Sequence, residues 1–216
     1  MNYQKFVKKQ KELFLNGFER VNRNRHEWQN FNDRVKATYN PLLSELKLHF
    51  QFDFFYLIET KDIPHKKEKE NQNFITLYMG SHPTGIVTTK VKEDKSFSTE
   101  LSVEKGGQLV FSQGPQGEVL VLMYACRSDE FKFHDDYIVY KIYASPLKIT
   151  RRTLHRIVRF YFRFIYVSSY LGQVNSIDRI RIAYIKWRSK FDILKVGKST
   201  FDVIKSVIEL KSGLTG

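Results

Sequence analysis

Residues 151–164, RRTLHRIVRFYFRF, set five arginines and a histidine among aromatic and aliphatic side chains. Arg152, Arg156, Arg159 and Arg163 recur at steps of four, three and four, which places them on one face of a helix. Leu154, Ile157, Tyr161 and Phe164 trace the opposite face, and Ser168 interrupts that series one turn later. Like charges so spaced repel by roughly 0.2–0.5 kcal/mol per pair, and no acidic residue within the stretch relieves them. Solvation alone can bear this small cost; otherwise negative charge is supplied from outside the helix. A polyanion is one source; carboxylates of a neighbouring segment or subunit, such as Asp129, Glu130, Asp135 and Asp136, are the other. In a helix beginning at Thr150, Arg151 and Arg152 also oppose the positive end of the dipole, a penalty that a phosphate would reverse.

Downstream, Arg179, Arg181, Lys186, Arg188 and Lys190 accompany Ile177, Ile180, Tyr184 and Trp187. Arginine beside exposed rings grips single-stranded nucleic acid by pairing with phosphates and stacking on bases. The spacing of these four apolar residues, however, predicts a core face. The candidate nucleic-acid-binding set is Arg152, Arg156, Arg159, Arg163, Arg179, Arg181 and Arg188. Basic and bulky apolar residues together also suit a membrane surface.

Other chemistry is sparser. Cys126 is the single cysteine, and His82 or His134 could serve it as a base, which would make a Cys/His hydrolase. Without a local signature, Cys126 reads as a small buried residue. GSHPTG, residues 80–85, reads as a structural turn with His82 near its tip. Arg20 and His26 have a spacing found in some helical ribonucleases, a match that a basic chain supplies easily. The run His134, Asp135, Asp136 reads as a solvated turn, since adjacent residues rarely complete a metal site. VGKST, residues 196–200, ends like a phosphate-binding loop, but Asp192 stands where that loop needs glycine, and Ser199 or Thr200 reads as a helix cap. No cofactor or metal site is expected.

These residues sit in a chain of 216 residues with net charge +13, distributed unevenly. Residues 1–50 carry ten Lys/Arg and five Asp/Glu, residues 51–150 twelve and fourteen, and residues 151–216 fourteen and four. Such concentrated positive charge attracts nucleic acid, anionic lipid or an acidic protein without choosing among them. One cysteine excludes an internal disulfide framework and fits a reducing cytosol. No apolar run approaches the ~18 residues of a membrane span, and the N-terminus lacks the apolar region of a secretory signal.

Apolar residues at steps of three, four and seven predict a helix or helix pair from Tyr3 to about Tyr39, ended by Asn40-Pro41, with 1–46 as a helical arm. Strands are expected at 48–59, 73–80, 85–91, 96–103, on both sides of a Gly114–Gly117 turn, and at 136–144. Val119 to Cys126 is apolar on both faces and therefore central. Helices are expected from about Thr150 to Leu171, Ser176 to about Phe191, and Thr200 to Lys211, with Ser145-Pro146 opening the first. The fold class is α+β in one domain: the helical arm, a largely antiparallel sheet of five or six strands over 47–145, and about three basic helices over 146–216. The leading functional expectation is a non-enzymatic, cytoplasmic binding protein whose C-terminal helices contact nucleic acid or a nucleoprotein. The alternative is an interaction subunit of a homo- or hetero-oligomer, and a third is a nuclease or Cys/His hydrolase.

Overall fold

The computed structural model describes residues 3–50, 54–59, 73–91, 96–128, 136–172 and 175–196. A single helix, α1 (Tyr3–Phe50), runs through the expected boundary at Asn40-Pro41 and past residue 46. Pro41 removes one backbone donor and crowds the carbonyl four residues earlier, that of Ala37. Packing outweighs this local cost: Tyr39 is fully buried and donates its hydroxyl to the Leu154 carbonyl at 3.1 Å, while Leu42, Leu43 and Leu46 join the same core.

Seven strands follow: β1 (Phe55–Glu59), β2 (Phe74–Met79), β3 (His82–Val91), β4 (Phe97–Glu104), β5 (Gln108–Gln113), β6 (Val119–Tyr124) and β7 (Tyr137–Tyr143). Five of them form one sheet in the order β1-β2-β5-β6-β7, and β3 pairs with β4 in a separate ribbon. Every pairing is antiparallel, and the links 92–96 between β3 and β4 and 114–118 between β5 and β6 are too short for a parallel crossover. GSHPTG is not a loop with His82 at its tip: β3 already begins at His82. Pro83 and Gly85 are absorbed by a register shift between Pro83 and Val87, with Gly85 at φ 80°.

The turn between β5 and β6 closes with Gly117 N–H donating to Gly114 O at 2.9 Å. Gly117 has φ 75°, and a Cβ there would stand 2.5 Å from Asn24 of α1. From the same helix Arg25 donates to Pro115 O at 2.7 Å, so α1 holds the hairpin tip. β6 is buried along its whole length, as its two-sided apolar sequence demands. One face of the sheet (Ile75, Leu77, Leu109, Phe111, Val121, Met123) packs with Trp28, Phe31 and Val35 of α1 and with Leu154, Ile157 and Tyr161. Each large side chain so buried stabilises the fold by about 1.5–3 kcal/mol.

After β7, Ser145 caps a short 3-10 turn, Pro146–Lys148, rather than an α-helix. Thr150 is the cap of α2 (Arg151–Ser168), which stops short of Leu171. Gly172 closes the following turn against Ser169 O, where a Cβ would stand 1.7 Å from Tyr166 O. α3 (Ser176–Val196) continues beyond Phe191 and packs against β7 at the end of the sheet. The helix expected from Thr200 to Lys211 lies outside the described residues. Among the described residues, no helix is long and apolar enough to cross a membrane.

Candidate nucleic-acid interface

α2 divides as its spacing requires. The Thr150 hydroxyl accepts from Thr153 N–H at 3.3 Å, satisfying one of the free donors at the helix start. Leu154, Ile157, Tyr161 and Phe164 are fully buried, and Tyr161 donates its hydroxyl to Gly107 O at 2.8 Å. Ser168 keeps to this buried face because its hydroxyl is occupied on both sides: it donates to Ile165 O and accepts from Cys126 N–H. Arg152, Arg156, Arg159 and Arg163 are exposed on the other side, a row about 16 Å long at 1.5 Å per residue. Among the described residues none of the four is ion-paired. Asp136 pairs instead with Arg127 at 3.0 Å, and Asp129, Glu130 and Asp135 lie outside the described residues.

α3 departs from the expectation of a core face. Ile182, Ile185 and Ser189 turn inward, whereas Ile177, Ile180, Tyr184, Trp187 and Phe191 are exposed by 48–68%. A spacing of three and four shows which residues share a face but not which face is wet; here the less conspicuous pair, Ile182 and Ile185, takes the core. The exposed stripe carries rings in mutual contact, Tyr184 and Trp187 at 6.2 Å and Trp187 and Phe191 at 4.9 Å with a 69° tilt. At 100° per residue, Arg179, Lys186 and Lys190 flank one side of this stripe, and Arg181 and Arg188 flank the other. Arg179 and Arg181 are exposed, and the Arg181–Asp178 contact at 3.5 Å is a surface pair worth at most about 1 kcal/mol.

Arg188 has a second duty. Val139 of β7 faces Leu122 of β6 and Lys141 faces Val121, so Tyr140 between them is the extra residue of a β-bulge. Its carbonyl receives a hydrogen bond from Arg188 Nη2. The guanidinium lies 5.6 Å from the Tyr140 ring and 6.0 Å from the Tyr184 ring. The Tyr140 ring also touches Phe160 of α2 at 5.3 Å. Burial raises the Tyr140 phenol above its ordinary pKa, while the charges of Arg188 and Arg156 act in the opposite sense. Tyr140 is therefore where the arginine row of α2 and the ring stripe of α3 meet. No sequence signal marks this junction, because it depends on the bulge.

The nucleophile candidates are arranged differently. Cys126 is buried, its Sγ donates to Ile165 O at 3.6 Å, and burial, with Glu104 adding, pushes its thiol up to about 11. His82 Nε2 lies 3.1 Å from the buried Glu104 carboxylate, which also accepts from Ser169 Oγ at 2.6 Å and Tyr170 N–H at 2.7 Å. The carboxylate is the centre of this group, a clamp between the β3–β4 ribbon and the turn after α2, with no histidine activating a nucleophile. Arg20 and His26 are six residues apart on α1, about 120° around the helix from each other, and His26 Nδ1 contacts Asn22 O at 2.7 Å. His134 and the VGKST residues after Val196 lie outside the described residues. Among the described residues no three potential metal ligands cluster.

Comparison with protein-family models, curated proteins and solved structures gave no match.

Proposed function

We propose that the protein acts by binding single-stranded nucleic acid, free or within a nucleoprotein, in a reducing, cytoplasmic setting that its buried free thiol suits. The observation that carries this reading is the exposed stripe Tyr184, Trp187 and Phe191 between rows of cations. Ring faces stack on any unpaired base, whereas duplex bases are already stacked, so the stripe favours single strands. Arg152, Arg156, Arg159 and Arg163 would neutralise phosphates on the adjoining face of α2, with Arg179 and Arg181 doing so beside the rings. Arg188, already bound to Tyr140 O, would contribute charge while holding α3 in place.

The test is the salt dependence of binding to a labelled single-stranded oligonucleotide. Each phosphate neutralised on a single strand contributes about −0.7 to the slope of log K against log salt. Replacing the four α2 arginines by glutamine should flatten that slope by up to ~3 and weaken low-salt binding. Absence of binding at low salt, or an unchanged slope in the variant, would refute the proposal.

A further inference from the structure

The first 21 residues of α1 as described, Tyr3–Arg23, expose nearly every side chain, although the helix is continuous with the buried segment beyond. One helix face runs through Tyr3, Phe6, Gln10, Phe14, Gly17 and Val21 in steps of three and four, apolar except at Gln10 and Gly17. The same steps then carry it through Asn24, Trp28, Phe31, Val35 and Tyr39, all buried. The bare part thus faces the side on which the sheet and α2 lie, overhanging the body by about 30 Å at 1.5 Å per residue. A flat bilayer laid against that face would run into the body at Trp28. A narrow partner lying along the arm meets no such obstacle.

We infer that this arm pairs antiparallel with the arm of a second copy of the chain. Tyr3, Phe6, Val7, Leu13, Phe14 and Phe18 are exposed by 48–78%. At ~150–200 Å² per side chain, they offer roughly 600–700 Å² per arm. Two arms together bring about 1,300 Å², within the 1,200–2,000 Å² of a stable interface. The pattern is also self-complementary about position 12, midway between Tyr3 and Val21. Reversed about that point, Phe6 meets Phe18, Tyr3 meets Val21, Gln10 meets Phe14, and Val7 meets Gly17, where nothing lies within 4 Å of a Cβ. The cost comes from Lys9, Lys11 and Arg20 at the edges of the stripe, like charges that repel weakly at exposed positions.

Light scattering of the full chain should give twice its 25.7 kDa mass at tens of micromolar, and the Phe14→Glu, Phe18→Glu double variant should give one. Because both positions are exposed in the single chain, the variant should still fold cooperatively, with an unfolding midpoint that no longer rises with protein concentration as the dimer's does. Oxidation of a Gln10→Cys, Phe14→Cys variant should cross-link the dimer, while Phe6→Cys alone should not. A monomer at these concentrations, a dimer unaffected by the double substitution, or cross-linking through Phe6→Cys alone, as a parallel pair would give, would each overturn the inference.

Discussion

Arg188 of α3 donates a hydrogen bond to the carbonyl of Tyr140, the residue that the β7 bulge leaves out of the sheet ladder. One contact thereby satisfies an orphaned backbone acceptor and fixes the helix that carries the exposed rings. Replacing Arg188 by methionine keeps much of the aliphatic stem and removes the donor, which should destabilise the protein by about 1–3 kcal/mol, measured by urea unfolding. Arg188→Lys should recover only part of this, since an ammonium lacks the planar fork that also lies over the two rings.

Glu104 is fully buried and holds His82, Ser169 and Tyr170 together. Glu104→Ala leaves His82, the Ser169 hydroxyl and the Tyr170 N–H without their acceptor and, at about 1–3 kcal/mol for each buried donor left unpaired, should cost several kcal/mol in urea unfolding. His82→Ala removes one of the three partners and should cost less. Equal losses would contradict a carboxylate at the centre of the group.

Cys126 should be inert. With its pKa raised to about 11 it is a protonated thiol at pH 8, and it is enclosed. A disulfide reagent should label it only at the rate of unfolding, and Cys126→Ala should leave any nucleic-acid binding intact. The sign of the alkaline effect follows from the same shift. A raised folded-state pKa contributes stability that is complete below the ordinary value of 9.0 and is lost as pH climbs through about 11. Tyr39 and Tyr161, raised by burial and each donating to a backbone carbonyl, push in the same direction. Unfolding midpoints should therefore fall steadily above pH 9.

Pro41 interrupts the hydrogen-bond ladder of α1 at an exposed position. Pro41→Ala restores the donor to Ala37 O and relieves the ring's crowding, and it should raise the thermal midpoint. A lower midpoint would contradict a net local cost of the proline in this helix.

The sheet was legible because its signals are local. Alternation and turn residues located five of the strands to within a residue or two of their observed limits, and the Gly114–Gly117 turn was readable from Pro115 and Gly117. The first strand, expected from Leu48, starts only at Phe55, because α1 runs on to Phe50. β3 began earlier than expected because a bulge let Pro83 and Gly85 sit inside a strand. α1 was cut short at Pro41 because the burial of Tyr39 and Leu46, which compensates for it, is a long-range fact. The arginine row of α2 followed from spacing alone. The wet face of α3 did not, since Ile177, Ile180, Tyr184 and Trp187 have the spacing of a core, and only the seating of Ile182 and Ile185 beside β7 turns them outward.

That outward turn can be tested with the chain's own fluorophores. Of its two tryptophans, Trp28 is 5% exposed against Phe31, and Trp187 is 58% exposed on the stripe. Titrating a single-stranded oligonucleotide at low salt should quench the emission of Trp187, and Trp187→Phe should abolish the quenching while preserving binding. Trp187→Ala should weaken affinity five- to a hundredfold, as the loss of one stacked base at about 1–3 kcal/mol implies. Emission unchanged at saturating oligonucleotide, or equal quenching in the Trp187→Phe variant, would contradict the claim that nucleic acid binds the exposed face of α3.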